Sequence, residues 1–291
     1  MAKIGLIQVE IIEGQSIKER QDMLFSLAEA ALQDGADIVH LPEAFQYVED
    51  REIIADIPRL TETAKAWKQR MSALAQKYHA YVVPWDYWYN PENGRVYNAS
   101  YILDRNGEEI GRYCKANLTH GELEISGLAN GMEYPVFDLD IGRVAIMICF
   151  DNYFPEVAAA YGAQDADLLL YPLYGDTLQP QWEHKMRARA IDHSMFVASC
   201  QIAGQYDIAY TGLVDKTGEV IAKLDAPQTY KVIEVDLKKR VLTHTTGRKE
   251  YTEDLHEYLH RCRNFTSYKA VENPGAPAKS WEEIFFGKVP D

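Results

Sequence analysis

The stretch Ala36-Asp37-Ile38-Val39-His40-Leu41-Pro42 returns later in the chain as Ala166-Asp167-Leu168-Leu169-Leu170-Tyr171-Pro172. Each copy is a short apolar run between an Ala-Asp pair and a proline, which is typical of a buried strand. A second pair of similar stretches, residues 101–110 and residues 211–221, places an Asn-Gly or a Thr-Gly turn dipeptide between two β-rich runs. Because both pairs occur in the same order, the sequence predicts a fold that consists of two similar halves.

Helix signals alternate with these strands in the first half of the chain. Residues 3–10 are β-rich, and Ser16-Ile17-Lys18-Glu19 forms a capping box that predicts the start of a helix. An apolar stripe of helical spacing continues to Leu32, and Gly35 then closes the helix. A second helix is expected at about residues 61–78. This order of strands and helices predicts an α/β fold, a four-layer α-β-β-α sandwich with an internal pseudo-two-fold repeat. In such a sandwich each sheet is covered by helices on one face, and the two uncovered faces pack together.

The repeat also predicts how the chain is divided. Residues 1–240 are expected to form one domain, and residues 241–291 a C-terminal extension. The extension contains a linker-like stretch, residues 272–277, followed by the apolar patch Trp281-Glu282-Glu283-Ile284-Phe285-Phe286. Such a patch needs a surface to cover it. Its own domain and a second subunit are both open as that surface.

The charge balance excludes several classes of partner. The 291 residues include 30 Lys and Arg against 44 Asp and Glu, a formal net charge of −14, which opposes binding to nucleic acid or to an anionic membrane surface. The apolar runs are far shorter than the ~20 residues of a membrane span, and Met1 leads into a strand without a signal-peptide pattern. We therefore expect a cytoplasmic protein that binds neither nucleic acid nor membranes.

Two chemically interesting residues follow predicted strands. Glu43 comes directly after the strand of residues 36–42, and Cys149 ends the strand of residues 143–148. In open α/β sheets, functional sites lie at the carboxyl ends of the strands, so a carboxylate and a thiol could meet there. A helix beginning at about residue 151 would favour the thiolate of Cys149. From its position alone, however, Cys149 also fits the role of a small buried apolar residue.

Four stretches of sequence together resemble the nitrilase, or carbon-nitrogen hydrolase, superfamily. They are Leu41-Pro42-Glu43-Ala44-Phe45, Tyr113-Cys114-Lys115-Ala116-Asn117-Leu118, Gly142-Arg143-Val144-Ala145-Ile146-Met147-Ile148-Cys149-Phe150-Asp151-Asn152-Tyr153-Phe154-Pro155-Glu156 and residues 182–190. The resemblance runs from residue 3 to about residue 235. It implies the same α-β-β-α sandwich that the repeat predicts. It also implies a homodimer or a higher homo-oligomer of stacked sandwiches.

The resemblance carries a set of catalytic residues over to this chain. The family's triad falls on Glu43, Lys115 and Cys149. A second glutamate of the family lies about 25 residues before the nucleophile, which points to Glu124, with Glu122 as the competing choice. Taken singly, Glu43 and Lys115 would be read as surface charges. The resemblance implies no metal and no cofactor.

The chemistry of amide hydrolysis explains these residue types. Cys149 would attack a carbonyl carbon and form a thioester, which splits a difficult hydrolysis into two easier steps. Glu43 would transfer the protons. Lys115 and the backbone amide of Phe150 would hold the oxyanion. Glu124 would orient Lys115 and the substrate nitrogen.

The residues after the nucleophile bear on the substrate. True nitrilases of the family usually have Trp-Glu there, whereas Phe150-Asp151 is typical of amidase and carbamoylase branches, so a small-molecule amide or N-carbamoyl compound is favoured over a nitrile. Branches that act on N-carbamoyl amino acids place an arginine close after the nucleophile. Here Asn152, Tyr153 and Phe154 stand instead, so an acidic substrate lacks its expected partner. The substrate-binding candidates are Phe150, Asn152, Tyr153 and Tyr174, and ordinary packing is an equal alternative for the two tyrosines.

Three other functions remain open. The first is nitrile hydrolysis at the same site. The second is a zinc peptidase, because His256-Glu257-Tyr258-Leu259-His260 matches the HExxH motif, with a third ligand to come from Glu272, Glu282 or Glu283. The third is a non-catalytic binding protein on the same fold.

Overall fold

The computed structural model describes residues 1–175, 181–203, 210–244 and 252–264. The linker-like stretch and the apolar patch predicted near the C-terminus lie outside the described residues. None of the helices in these ranges combines the length and the apolar composition that a membrane span requires.

The strands and helices are numbered in chain order. The strands are β1 Ala2–Glu10, β2 Ile38–His40, β3 Tyr81–Val83, β4 Trp85–Asn90, β5 Arg95–Leu103, β6 Glu109–Cys114, β7 Val136–Leu139, β8 Gly142–Ile146, β9 Leu168–Pro172, β10 Phe196–Cys200, β11 Ile202–Ala203, β12 Gly212–Val214, β13 Val220–Lys223, β14 Thr229–Val235, β15 Leu242–His244 and β16 Thr252–Asp254. The α-helices are α1 Ile17–Gln33, α2 Ile57–Tyr78, α3 Pro155–Gly162, α4 Gln181–His193 and α5 Leu255–Cys262. Short 3₁₀ helices span Phe45–Tyr47, Arg51–Ala55 and Cys149–Tyr153, and a π-helical turn spans Gly121–Ile125.

Two large sheets contain most of these strands. The first has the order β11-β1-β2-β3-β5-β4, with β14 also paired to β1 and β6 to β5, and the second has the order β13-β12-β10-β9-β8-β7. In the first sheet β1, β2 and β3 are parallel and are followed by antiparallel β5 and β6. In the second, β8, β9 and β10 are parallel and are followed by antiparallel β12 and β13. This shared strand order confirms the predicted repeat.

The repeat extends to individual hydrogen bonds. Each Ala-Asp pair enters its strand in the same way, since the amides of Asp37 and Asp167 each donate to a carbonyl of the preceding strand over 2.8 Å. The two hairpin turns also match. Gly107 and Gly218 adopt φ of 79° and 81°, a left-handed conformation that glycine tolerates, and each donates to the carbonyl of an aspartate three residues earlier. The two halves of the chain therefore share the same backbone hydrogen bonds and turn conformations at these positions.

Both predicted helices of the first half are present. Ser16 caps α1 through the full capping box with Glu19, and Gly35, at φ 85°, follows the end of the helix. Helix α2 begins earlier than predicted, at Ile57, because the carboxylate of Asp56 caps it and Pro58 fits the first turn. Helices α1 and α2 pack on the first sheet, and α4 packs on the second.

A buried histidine and cysteine meet where the two sheets face each other. His40 Nε2 on β2 lies 3.1 Å from Cys200 Sγ on β10, and the Ile7 amide of β1 donates to the same sulfur over 3.2 Å. Burial lowers the pKa of His40 to about 3 and raises the pKa of Cys200 well above its usual range. Cys200 is therefore a neutral thiol that packs in the core between the sheets.

Candidate active site

Glu43 lies beyond the carboxyl end of β2, as its position in the sequence predicts. Only 3% of its surface is exposed. Its Oε1 accepts from Lys115 Nζ over 2.9 Å and from Asn98 Nδ2 over 2.7 Å, and its Oε2 accepts from the Tyr174 amide over 2.9 Å. The next residue, Ala44, has a φ of 61°, which is strained for a residue with a side chain. The carboxylate is thus held rigidly in a buried position.

Lys115 follows β6 and is the cation of the site. Its side chain is 1% exposed, and its Nζ lies 2.9 Å from Glu43 Oε1 and 2.9 Å from each carboxylate oxygen of Glu122. Burial alone would lower the pKa of Lys115, but the two carboxylates outweigh this effect and raise it well above its usual range. Burial would likewise raise the pKa of Glu122, but Lys115 and the Thr119 amide lower it. The two carboxylates therefore favour the protonated form of Lys115.

The second glutamate beside Lys115 is Glu122, so the choice of Glu124 from the sequence was wrong. Both residues lie in the π-helical turn, but Glu124 is exposed. The backbone amide and the hydroxyl of Thr119 each donate to Glu122 Oε2 over 2.9 Å, which fixes Glu122 toward the lysine. A π-helical turn is wider than an α-helical turn, so the direction of each side chain in it does not follow from the spacing of residues in the sequence.

These two glutamates form a matched pair for an activity test. Glu122→Gln removes one of the two negative charges on Lys115, and we expect it to lower kcat by about 10²-fold or more, the usual size of the effect when an active-site proton-transfer or electrostatic group is lost. Glu124→Gln makes the same chemical change on the exposed side of the turn and should leave kcat within about twofold. Steady-state assays of both purified variants measure this difference. Equal losses in the two variants would contradict the assignment of Glu122.

Cys149 stands at the start of a 3₁₀ turn just after β8. Its φ of 46° is strained for a non-glycine residue, and Tyr171 on β9 holds its backbone carbonyl with a hydrogen bond of 2.9 Å. Burial raises the pKa of the thiol well above its usual range, Glu43 raises it further, and Lys115 opposes them. These surroundings favour the neutral thiol, whereas the sequence predicts a thiolate. Helix α3 begins only at Pro155, so its N-terminus does not adjoin the sulfur.

Asp151 supports the turn that carries Cys149. It is fully buried and accepts four hydrogen bonds, from the Tyr113 hydroxyl, the Ile148 amide and both the amide and the side chain of Asn117. Tyr113 and Asn117 lie on either side of Lys115 in the sequence. Asp151 therefore ties the lysine segment to the cysteine segment, and it was not among the residues predicted to form the site.

Asn98 is a second residue that sequence reasoning missed. Its side-chain amide donates to Glu43 Oε1 and, over 2.6 Å, to Glu122 Oε1, so it bridges the two carboxylates. The indole of Trp85 donates to Asn98 Oδ1 over 2.6 Å, which fixes the orientation of the amide. Asn98 occupies an inward position of β5 and carries no motif, so only the register of the strands reveals its role.

A cavity of about 390 Å³ opens above these residues, a volume suited to a small molecule. Its walls include three of the four predicted substrate-binding residues, Phe150, Tyr153 and Tyr174. Asn152 is not part of the wall, which corrects its prediction, because it is only 1% exposed. Its backbone carbonyl accepts a hydrogen bond from Arg189. Several further lining residues were not predicted from the sequence. Those with polar side chains include Arg51, Tyr87, Asn98 and Thr119.

An aromatic layer supports one wall of this cavity. Tyr87 stacks on Tyr47 with ring centroids 5.5 Å apart, and the Tyr47 hydroxyl donates to Asp86 Oδ1 over 2.7 Å. Asp86 is 3% exposed, and its Oδ2 has no hydrogen-bond partner in the described part of the chain. Burial raises the pKa of Asp86 to about 7. A carboxyl group that changes charge near neutral pH therefore lies directly behind the cavity wall.

This carboxyl group predicts a dependence of stability on pH. The pKa of Asp86 is higher in the folded than in the unfolded chain. Its contribution to the free energy of unfolding is therefore fully present below about pH 4 and is lost as the pH rises toward 7. At about 1.4 kcal/mol per pKa unit, the loss amounts to about 4 kcal/mol. Asp86→Asn keeps an acceptor for Tyr47 and removes the titration. Urea unfolding at pH 5 and pH 8 should show the variant gaining stability relative to the parent at pH 8. If the variant and the parent differed in stability by the same amount at pH 5 and at pH 8, the titration of Asp86 would be contradicted.

The HExxH motif lies on α5, apart from this cavity. His256 Nε2 and His260 Nδ1 face the same oxygen of Asp165, at 3.1 Å and 3.0 Å, while Glu257 is exposed. Within residues 1–175, 181–203, 210–244 and 252–264, no three His, Cys, Asp or Glu side chains are grouped so that they could hold a metal ion. The proposed third ligands, Glu272, Glu282 and Glu283, lie outside the described residues. The two histidines bind α5 to the loop before β9.

Comparisons with known proteins agree with this geometry. Among relatives of similar sequence, omega-amidase NIT2 of Bos taurus is 28% identical over 256 residues, which cover 81% of this chain and 89% of the relative, and omega-amidase NIT2 of Homo sapiens is 28% identical over 255 residues with the same coverage. A chloroplastic omega-amidase of Arabidopsis thaliana is 33% identical over 158 residues, which cover 49% of this chain and 42% of the relative.

Solved structures and a family profile complete the comparison. An amidase from Nesterenkonia sp. AN1, solved with acrylamide added to its active-site cysteine, superposes with a TM-score of 0.72 at 20% identity and covers 81% of this chain and 93% of its own. This likeness confirms the predicted α-β-β-α sandwich. The profile described as carbon-nitrogen hydrolase matches residues 3–245, which include Glu43, Lys115 and Cys149 but not the HExxH motif. The chain belongs to the carbon-nitrogen hydrolase family.

Proposed function

We propose that this protein is an amidase that uses Cys149 to hydrolyse the C–N bond of a small linear amide and to release ammonia. One observation carries the proposal. A buried cation, Lys115, is held between Glu43 and Glu122 in the same small cavity as the strained Cys149. Burying the charges of Lys115, Glu43 and Glu122 costs free energy even when they are paired. Acyl transfer through a thioester gives each of the three a catalytic role.

In the first half of the reaction, the thiol of Cys149 attacks the carbonyl carbon of the amide. Its proton passes to the carboxylate of Glu43, which lines the same cavity and raises the pKa of the thiol. A resting thiol suits this role, because the raised pKa makes the proton available only when the sulfur forms its bond to carbon. The C–N bond then breaks as Glu43 returns the proton to the nitrogen. Ammonia leaves, and the acyl group remains on the sulfur as a thioester.

In the second half of the reaction, water replaces ammonia. Glu43 takes a proton from the water as its oxygen attacks the thioester carbonyl. The C–S bond then breaks, Glu43 returns that proton to the sulfur, and the carboxylic acid leaves while the thiol of Cys149 is restored. In both halves a negative charge develops on the carbonyl oxygen. The Lys115 ammonium, kept protonated by its two carboxylates, and the backbone N–H of Phe150 are the groups we assign to stabilise it.

Glu122 and Asn98 act on the other members of the site. Glu122 accepts hydrogen bonds from the ammonium of Lys115 through both of its oxygens and thereby helps to orient it beside Glu43. Asn98 donates to both carboxylates and thereby links them beside the lysine. We assign Glu122 the role of orienting Lys115 and the substrate nitrogen, the role that the sequence resemblance gave to Glu124.

Amide hydrolysis is favoured over the hydrolysis of nitriles. The relatives described above are omega-amidases, and the superposed structure is that of an amidase. In addition, Phe150-Asp151 stands where the resemblance gives true nitrilases Trp-Glu. N-carbamoyl compounds share the attacked carbonyl and the released ammonia, so they are the second substrate class for the same site.

Ammonia release from a panel of compounds tests the proposal. The panel consists of small amides, N-carbamoyl amines, N-carbamoyl amino acids and nitriles, each assayed with the parent enzyme and with Cys149→Ala. We expect hydrolysis of amides that depends on Cys149. Hydrolysis of nitriles alone would refute the amidase. A chelator-sensitive activity that survives Cys149→Ala would instead favour the zinc peptidase, and complete inactivity together with tight binding would favour a non-catalytic binding protein.

A further inference from the structure

One of the two oxyanion donors that we assign is a backbone N–H group, so its direction depends on a single peptide unit. That unit joins Cys149 to Phe150, and both residues line the cavity. In the part of the chain that the structure describes, no carbonyl oxygen or side chain accepts a hydrogen bond from the Phe150 amide. The amide can therefore donate to a ligand, as long as the peptide unit keeps the correct orientation.

The backbone at Cys149 needs support to keep its conformation. Its φ of 46° lies in the left-handed region, which is unfavourable for a residue with a side chain and persists only where surrounding contacts fix it. On the N-terminal side of Cys149, the Ile148 amide donates to Asp151 Oδ2 over 3.1 Å. On the C-terminal side, the carbonyl of Cys149 is held by Tyr171.

Tyr171 reaches this carbonyl from the neighbouring strand. It lies on β9, is 1% exposed, and its hydroxyl donates to the backbone oxygen of Cys149 over 2.9 Å. Its ring stacks on Trp182 of α4, with ring centroids 6.3 Å apart, and Trp182 is fully buried. Tyr210 packs edge-on against the same indole at 4.8 Å. The position of the Tyr171 hydroxyl is therefore set by packing in the core.

The geometry of the peptide bond carries this restraint to the next residue. A peptide unit is planar and trans, so its C=O and its N–H point in opposite directions. A hydroxyl that holds the carbonyl oxygen of Cys149 therefore also fixes the direction of the Phe150 N–H. The same hydrogen bond polarises the peptide unit, which makes its N–H a stronger donor.

We propose that Tyr171 is a positioning residue for the oxyanion site, which aims the Phe150 N–H at the carbonyl oxygen of the substrate by holding the backbone carbonyl of Cys149. This inference rests on the proposed amidase activity and adds a residue to the same site. Tyr171 forms no bond to the substrate and transfers no proton. Its contribution is realised when negative charge develops on the substrate oxygen, so it acts on kcat rather than on KM.

The variant Tyr171→Phe tests this proposal, because it removes only the hydroxyl oxygen. The substrate is the amide that the parent enzyme hydrolyses fastest in the panel described above. We expect kcat to fall by about 10- to 100-fold while KM stays within about threefold, since a misdirected donor loses part of what a deleted donor loses. Replacement of Tyr171 by 4-aminophenylalanine supplies an N–H donor at the same place and should restore kcat to within about fivefold of the parent.

A reaction of Cys149 that involves no oxyanion provides a second measurement. Methyl methanethiosulfonate transfers a methylthio group to a cysteine thiolate without any carbonyl group, and the product is detected as a mass gain on the peptide that contains Cys149. The rate of this modification should agree within about twofold between the parent and Tyr171→Phe. If kcat and the modification rate fall together, Tyr171 acts on the nucleophile instead, and the proposal is overturned.

Tyr161→Phe is the matched control. Tyr161 on α3 is also fully buried, and its hydroxyl donates to the backbone carbonyl of Ile146 on β8 over 2.5 Å, but it is not one of the residues that line the cavity. The control should shift the urea midpoint about as much as Tyr171→Phe does, and it should keep kcat within about threefold. If it lowers kcat as much as Tyr171→Phe, the loss is a general effect of removing a buried hydroxyl, and the proposal is overturned.

The outcomes separate this proposal from the amidase itself. If the parent enzyme shows no amide hydrolysis that depends on Cys149, the proposed function fails and this inference fails with it. If the parent is active and Tyr171→Phe keeps kcat within about threefold, Tyr171 does not position the oxyanion donor, while the amidase stands. A raised KM with unchanged kcat would show that Tyr171 contacts the substrate directly, which would also overturn the proposal.

Discussion

Replacing Cys149 by alanine should lower kcat/KM for every amide substrate by about 10⁴-fold or more, because no thioester can then form. The expected loss is large since neither Glu43 nor Lys115 can act on an amide without the nucleophile. The assay is continuous detection of released ammonia with the purified variant. Removal of the sulfur from the cavity should not unfold the protein, because Cys149 contributes little apolar area to the core.

The other cysteines supply the controls for this experiment. Cys114 and Cys262 lie outside the cavity, and burial raises the pKa of Cys114 to about 11. Their alanine variants should retain activity within about twofold of the parent. If Cys149→Ala keeps more than about 1% of the parent activity on an amide, the assignment of the nucleophile is wrong. The same conclusion would follow if Cys114→Ala were the inactive variant.

Lys115→Met should damage both stability and activity. The substitution leaves Glu43 and Glu122 facing each other in a buried site without their shared cation. Breaking a buried ion pair by removing one partner costs about 3–5 kcal/mol, so the free energy of unfolding should fall by about that amount. The loss of an oxyanion donor should also lower kcat by about 10²- to 10³-fold. Urea denaturation and the ammonia assay measure the two effects separately.

A double variant distinguishes the electrostatic cause from a simple loss of packing. Lys115→Met combined with Glu122→Gln removes one of the two unpaired carboxylates. It should therefore be more stable than Lys115→Met alone, while activity stays low. A double variant that is less stable by the sum of the two single losses would show that the carboxylates do not repel each other. A Lys115→Met variant as stable as the parent would contradict the buried ion-pair network itself.

Much of the fold was accessible from local signals. The two Ala-Asp strands and the two hairpin turns are set by short-range hydrogen bonds, so their sequence similarity reports the repeat directly. Glu43 and Cys149 could be placed because the carboxyl ends of strands converge. Lys115 had no such signal, since its segment leaves an antiparallel strand, and only the family resemblance pointed to it.

Long-range geometry decided what the sequence could not predict. Glu122 replaces Glu124 because a π-helical turn and the Thr119 hydroxyl set the direction of the side chain. Asn98 reaches the carboxylates through the register of β5 against β4, where it pairs with Tyr87. Arg51 follows Glu43 closely in the sequence, yet a 3₁₀ helix turns it onto the cavity wall. Side-chain direction in such irregular segments does not follow from any periodic pattern.

The protonation state of Cys149 was also beyond the sequence. A strand that leads directly into a helix would stabilise a thiolate. In the structure a 3₁₀ turn separates the sulfur from α3, and the adjacent carboxylate of Glu43 favours the thiol. In the mechanism that we propose, the proton therefore starts on the sulfur and passes to Glu43 during the attack.

We propose that amide hydrolysis passes through a thioester on Cys149, and mass spectrometry of the intact enzyme can detect this thioester directly. The parent enzyme is mixed with a saturating small amide, quenched in acid during turnover, and weighed before and after digestion. We expect a mass gain equal to the acyl group less one hydrogen, located on the peptide that contains Cys149 and absent from Cys149→Ala. Turnover of the amide with no acyl adduct on Cys149, or with the adduct on another cysteine, would contradict it.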